Sequence, residues 1–299
     1  MAEKLPYIIS ADAEHLITQW GVHKNLRTPD KAFFEDFQAG LVEQIKAAGD
    51  DFYPDILPHG DLAHGLQSLI FNHSRGDAVA LDRAYVGDDF ARHFEVTRAV
   101  GPSFESIGTR RRPNAPQISD QLDYIVANSG SELTLVDDVI FSGDAIIDAA
   151  DMFSRRGATV STVLAAVAIG EGREKIEKAG IEVVSVVDYE DVKDEICERD
   201  FMAGIPYSGR TVYMPDDAHY SAPYFQPFGS PEQWASIEDQ AAARKMSAYC
   251  IDRSIELWSI IDSLNEVQLP HGEIPRPLEL GAGSESIVAY LERRKQSIA

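Results

Sequence analysis

Residues 133–147 read Leu-Thr-Leu-Val-Asp-Asp-Val-Ile-Phe-Ser-Gly-Asp-Ala-Ile-Ile, and no other stretch limits the fold so tightly. Four mostly apolar residues run without alternation into Asp137 and Asp138. Such a run is the pattern of a strand covered on both faces, as a parallel strand inside an α/β sheet is. A Ser-Gly turn follows, and Ile146, Ile147, Ala149, Ala150 and Phe153 then take the apolar side of a helix. Carboxylates at the C-terminal end of a parallel strand lie at the sheet edge where open α/β folds bind ligands. The turn brings backbone N–H groups to a helix N-terminus, which is an anion site. Diol-accepting carboxylates beside an anion-binding turn suit a phosphorylated sugar.

The rest of the 299-residue chain is consistent with that core. From about Asp77, apolar strands at 78–81, 158–169 and 181–187 and an alternating strand at 94–98 are interleaved with turns and helices. Gly157 ends the central helix behind Arg155 and Arg156, and Gly180 closes a short charged helix over 171–179. This alternation predicts a parallel sheet with helices on both faces. Residues 101–117, rich in Gly, Pro and Ser, read as a long mobile loop carrying Arg110, Arg111 and Arg112. The triplet is either a solvated charge run or an anion clamp.

Residues 1–75 read as a mainly helical flank. A helix starts near Thr28-Pro29-Asp30, with Phe33, Phe34, Phe37, Leu41, Ile45 and Ala48 on its buried side, and a second spans 61–71. His59, His64 and His73 fall here beside Asp61, but their spacing fits no familiar ligand pattern, and surface and capping roles are preferred to a metal site. Beyond the α/β core at 76–192, residues 193–299 form a lid loop and a helical extension. Aromatic residues among prolines at 213–228 read as a strap. Ser230-Pro231-Glu232 caps a long helix, and a last helix covers 286–295.

Composition excludes several function classes. The formal net charge of −22, from 49 acidic against 27 basic side chains, argues against a nucleic-acid partner. Cys197 and Cys250 stand far apart without a CxxC, so neither a disulfide scaffold nor a zinc site is indicated. No basic and apolar leader is visible at the N-terminus, and no apolar run has the length of a membrane span. A soluble, cytoplasmic protein is expected.

The segment Val136-Asp137-Asp138-Val139-Ile140-Phe141-Ser142-Gly143-Asp144-Ala145 resembles the phosphoribosyl-pyrophosphate (PRPP) loop of type I phosphoribosyltransferases. Ala84-Tyr85-Val86-Gly87 is similar to the pyrophosphate turn of the orotate members, although Val86 stands where those have Lys. The likeness covers roughly 76–192. It implies an α/β core with a parallel sheet, flanked by N- and C-terminal helices that form a hood. In the roles it implies, Asp137 and Asp138 accept from the ribose 2- and 3-hydroxyls and help hold Mg²⁺ through water. Phe141, Ser142, Gly143, Asp144 and Ala145 cradle the 5-phosphate. Ala84, Tyr85, Val86, Gly87 and Arg98 face pyrophosphate. Arg110, Arg111 and Arg112 stand where the family keeps its mobile catalytic loop, which favours the clamp. Phe201 and Tyr207 are conjectured to stack on a base, and Arg210 to bind its carboxylate or carbonyl. The resemblance thus implies transfer of ribose 5-phosphate from PRPP to a nucleobase or related acceptor, with small molecules as partners and no nucleic acid or membrane. A non-catalytic PRPP or nucleotide sensor on the same fold is the alternative. Oligomeric state stays open, a homodimer being one option.

Overall fold

The computed structural model describes residues 4–74, 77–87, 89–281 and 283–298. In chain order the first elements are β1 (Leu5–Ala11), α1 (Ala13–Lys24), α2 (Lys31–Lys46), β2 (Phe52–Pro58), α3 (His59–His73), β3 (Ala78–Ala80), β4 (Val96–Val100) and β5 (Ser106–Arg111). Then come α4 (Ile118–Asn128), β6 (Glu132–Ile140), α5 (Asp144–Ser154), β7 (Thr159–Ile169), α6 (Gly170–Lys178) and β8 (Glu182–Tyr189). The chain continues through β9 (Asp194–Cys197), β10 (Arg210–Tyr213), β11 (His219–Ala222), α7 (Pro231–Trp234), α8 (Gln240–Asn265) and α9 (Ile287–Lys295). Two compact units result. One takes the described residues of Met1–Leu57, Val100–Glu105 and Lys193–Ala299, and the other those of Pro58–Ala99 and Ser106–Val192.

The second unit is the predicted α/β core. Its sheet has the order β3-β6-β7-β8, every pair parallel, with Leu135 opposite Val79 on one side and Val163 on the other. Leu133, Leu135, Val163 and Ala165 are wholly buried, in one core with Leu122 and Ile125 of α4, Ile146 and Phe153 of α5, and Ile176 of α6. Helix α3 packs on β7 and β8. It comes so close that a Cβ on Gly65 would stand 2.4 Å from Val186 Cγ1. The sheet is covered on both sides, which explains the unbroken apolar runs of β6 and β7.

The other unit has its own sheet, β2-β1-β9, in which β1 and β9 are parallel, and a β10–β11 antiparallel hairpin. Its core takes Phe33, Phe37, Leu41 and Ile45 of α2 together with Met246, Cys250, Trp258 and Ile261 of α8. The C-terminal ends of β1 and β9 are joined by buried charge. Asp12 pairs with the Arg199 guanidinium and accepts the Arg199 N–H at 3.1 Å, while Glu198 Oε2 accepts the Ala13 N–H at 3.4 Å.

Several expectations are corrected. The N-terminal flank contains two strands, β1 and β2, and Pro-rich 53–58 is extended rather than looped. The core begins at Pro58, because α3 packs on β7 and β8, and residues 1–57 and 193–299 share one hydrophobic core. The expected 75/76 boundary itself lies outside the described residues. The loop at 101–117 contains strand β5, β8 is followed by three more strands, and Ser230 caps only the one-turn α7, α8 being capped by Asp239. Among the described residues no helix is long and apolar enough to cross a membrane.

Burial, and then the charge of Asp12, push the Glu198 carboxyl from an ordinary 4.5 up to about 8. The native state therefore holds a proton that the unfolded chain has already released, so stability falls as pH rises from about 4.5 to about 8. Glu198→Gln keeps an acceptor for the Ala13 N–H without the charge. Chemical denaturation at several pH values should find the variant more stable than the wild type at pH 9 and little different at pH 4. A variant less stable at pH 9 would contradict this account.

Candidate functional site

The site grows from a mismatch in strand length. Strand β3 stops at Ala80, opposite Val136, whereas β6 continues to Ile140. Asp137 and Asp138 therefore lie in β6 beyond the end of β3, paired only on the β7 side, where Asp137 stands opposite Ala165. The sequence places them at a strand terminus, and the strand in fact runs two residues further. Each half-buried carboxylate turns back on the chain, Asp137 Oδ1 accepting the Asp138 N–H at 3.1 Å and Asp138 Oδ1 the Val139 N–H at 2.9 Å. Burial first, then the charges of Asp138 and Asp82, hold the Asp137 carboxyl well above the usual carboxylate range. The Arg112 guanidinium works in the opposite direction.

Where β3 ends, the chain makes the turn that carries Ala84, Tyr85, Val86 and Gly87. Leu81 N–H donates to Val136 O at 2.8 Å, fastening the start of the turn to β6. Tyr85 N–H donates to Asp82 Oδ2 at 3.1 Å and Gly87 N–H to Arg83 O at 3.1 Å. Gly87 has φ of +78°, which favours glycine. Ala84 and Tyr85 are buried, whereas Val86 and Gly87 are partly exposed. The His59 ring stacks on Tyr85 and its Nε2 lies 2.7 Å from Ala84 O.

The second turn, 141–145, follows β6 and opens α5. Gly143 is the N-cap with φ of +74°, and a Cβ there would lie 2.9 Å from Gly172 O. A Cβ on Gly172 would in turn come within 2.3 Å of Phe141 O. These two glycines let the turn and the first turn of α6 touch through backbone. Asp144, the first residue of α5, is exposed; it accepts from Ser142 Oγ at 2.9 Å and pairs with Lys175. Lys175 first and Ser142 next lower its pKa, with Arg98 a smaller contributor. The negative charge at this anion-type turn is thus met by cations.

The three arginines separate in role. Arg110 is exposed on β5, Arg111 donates to Ala115 O at 2.7 Å, and Arg112 Nη2 donates to Leu81 O at 3.1 Å. Arg112 Nε is buried without a hydrogen-bond partner among the described residues. Thr109 Oγ1 donates to Asp148 Oδ2 at 3.2 Å, tying β5 to α5. The predicted residues Asp137, Asp138 and Arg112 thus come together, as do Ser142, Asp144 and Arg98. Asp82, Gly172, Lys175 and His59 were missed. Gly170 and Gly172 at a strand-to-helix junction were a usable signal; the others depend on contacts between distant segments.

Phe201, Tyr207 and Arg210 belong to the other unit. Phe201 is wholly buried with its ring edge-to-face against Tyr224, so it is a core residue and has no face free for a base. Tyr207 is half-buried with φ of 60°, and the Arg210 guanidinium lies 5.0 Å from the Trp234 ring centroid and 5.6 Å from that of Tyr224. Among the described residues no group of three or more His, Cys, Asp or Glu side chains could hold a metal ion. The donors present are carboxylate oxygens, which suits Mg²⁺ held by one or two carboxylates with water and substrate phosphates.

No family model and no curated protein matches the chain. Parts of solved structures are similar to it. Orotate phosphoribosyltransferase from Aeropyrum pernix is 17% identical over 44% of this chain and 70% of its own, with a TM-score of 0.27. Adenine phosphoribosyltransferase from Thermoanaerobacter pseudethanolicus is 16% identical over 42% of this chain and 79% of its own, at 0.29. UMP synthase of Leishmania donovani is 12% identical over 44% of this chain and 27% of its own, at 0.27. Strand order and register define the α/β unit.

Because the Asp137 carboxyl is held above its usual range, the native state keeps a proton that the unfolded chain loses once pH passes the ordinary carboxylate range. Asp137→Asn removes that penalty. Thermal denaturation should show the variant melting above the wild type at pH 8, with the gap closing towards pH 4. Equal or lower melting at pH 8 would mean that this carboxylate is compensated.

Proposed function

We propose that the α/β unit binds PRPP with Mg²⁺ and transfers ribose 5-phosphate to a nucleobase or related acceptor. The observation that carries this is the junction of β6 and α5, where two adjacent carboxylates and a glycine-capped helix N-terminus follow one another on a single strand-turn-helix. Vicinal hydroxyls need acceptors and a phosphate needs backbone N–H donors, and this junction holds both within a few residues. The resemblance of 136–145 to a PRPP loop and of 84–87 to a pyrophosphate turn supports the same assignment.

In this reading Asp137 and Asp138 orient the ribose, and the N–H groups of 141–145 hold the 5-phosphate. Asp137 and Asp138 would hold Mg²⁺ through water, and the ion would supply charge neutralisation for the diphosphate. In the reaction the bond from C1 to the pyrophosphate oxygen breaks, the electron pair leaving with pyrophosphate, while a nitrogen of the acceptor bonds to C1 and gives up its proton to water. Positively charged side chains stabilise the departing anion, and Arg98, Arg110, Arg111 and Arg112 are the candidates. Catalysis of this kind is mainly positioning and electrostatics.

A PRPP or nucleotide sensor is the second reading, and one observation favours it. Val86 leaves the pyrophosphate turn without the Lys found in orotate members, and the neighbouring Ala84 and Tyr85 side chains are buried. Calorimetry separates binding from its absence. Wild type should bind PRPP only with Mg²⁺, and Asp137→Asn with Asp138→Asn should weaken binding by about 3 kcal/mol or more if both hydroxyl contacts are made. Equal affinity for both proteins would remove this assignment of the site. Pyrophosphate release from PRPP in the presence of one nucleobase then marks the transferase, and tight binding with no release from any base tested marks the sensor.

A further inference from the structure

We propose that His59 is a positioning residue that holds the 84–87 turn in the orientation needed for pyrophosphate, an inference that rests on the function proposed above. Ala84 and Tyr85 are buried while Val86 and Gly87 of the turn are partly exposed, so the peptide before Val86 sets how that exposed backbone is presented. The peptide unit joining Ala84 and Tyr85 is clamped at both ends. Its carbonyl lies 2.7 Å from His59 Nε2, and its N–H donates to Asp82 Oδ2 at 3.1 Å. A carbonyl oxygen can only accept, so Nε2 carries a proton and donates.

The imidazole also lies nearly parallel to the Tyr85 ring, with centroids 5.0 Å apart and planes at 16°. His59 thus combines a donor for the backbone with a flat surface for the side chain one residue later. Its own helix is packed on the sheet. His59 is the first residue of α3, whose Leu62 and Leu66 are buried and whose Gly65 lies close against Val186 of β8. The path of support runs from the sheet through α3 to the imidazole and then to the turn. Asp82, the clamp on the other end, also adds to the negative charge felt by Asp137, so turn and acidic pair meet at that carboxylate.

Two variants separate the donor from the ring. His59→Phe keeps a ring over Tyr85 and removes the donor, whereas His59→Gln supplies an amide donor without the ring. Titrating each with pyrophosphate and Mg²⁺, and separately with ribose 5-phosphate, tests the assignment. His59→Phe should bind pyrophosphate about fivefold more weakly and ribose 5-phosphate as the wild type does, and His59→Gln should recover part of the loss. A general loss of structure would lower both ligands together. Hydrogen exchange at the Tyr85 and Gly87 amides should also quicken in His59→Phe. Wild-type pyrophosphate affinity in His59→Phe overturns the proposal. If the wild-type protein itself binds no pyrophosphate, the proposed function fails at this turn and exchange alone decides the brace: faster exchange confined to 84–87 upholds it, and unchanged exchange overturns it.

Discussion

Two adjacent carboxylates on a largely buried strand are costly to keep, and the α/β unit is arranged around that cost. Desolvation first, and then the charges of Asp138 and Asp82, disfavour ionisation of Asp137. The fold offsets only part of it, with the N–H groups of Asp138 and Val139 and the nearby Arg112 charge. A parallel sheet can tolerate such a pair at an edge that one neighbour leaves open, and β3 provides that by ending at Ala80. A carboxyl whose ionisation is disfavoured in the free protein gains from a cation or hydroxyl donors placed beside it. Stability is lowered at the place where a ligand would restore it.

The same logic explains the second turn. Gly143 and Gly172 allow backbone to meet backbone between the β6–α5 turn and α6, and Lys175 of α6 reaches Asp144. The α5 N-terminus is therefore supported from a neighbouring helix, and its exposed carboxylate is paired within the unit. Asp144 is compatible with an anion-binding turn in that arrangement, since its charge is answered by Lys175 and, more weakly, by Arg98.

Much of the α/β unit was legible because its signals are local. Buried parallel strands leave unbroken apolar runs, as in β6 and β7, and glycines mark the ends of α5 and α6. Strand β5 was not legible: Ser106, Gly108 and Arg110 are exposed, alternating with half-buried Ile107, Thr109 and Arg111, so it lacks a buried apolar face. The other unit depends on distant segments, β1 pairing with β9 and α2 sharing a core with α8, which no local pattern announces. Phe201 shows the consequence. Among glycines and prolines it reads as a lid aromatic, yet the core formed with α2 and α8 encloses it. Asp82 and His59 were illegible for a related reason, since their importance lies in what they touch across the fold.

The central claim is that the β6–α5 junction holds a phosphorylated ribose. Crystals of the protein soaked with PRPP and Mg²⁺ test it most directly. The account predicts the 5-phosphate against the backbone N–H groups of 141–145, with the ribose hydroxyls on Asp137 and Asp138. A ligand bound elsewhere with this junction empty, or one whose phosphate turns away from Gly143, would contradict it.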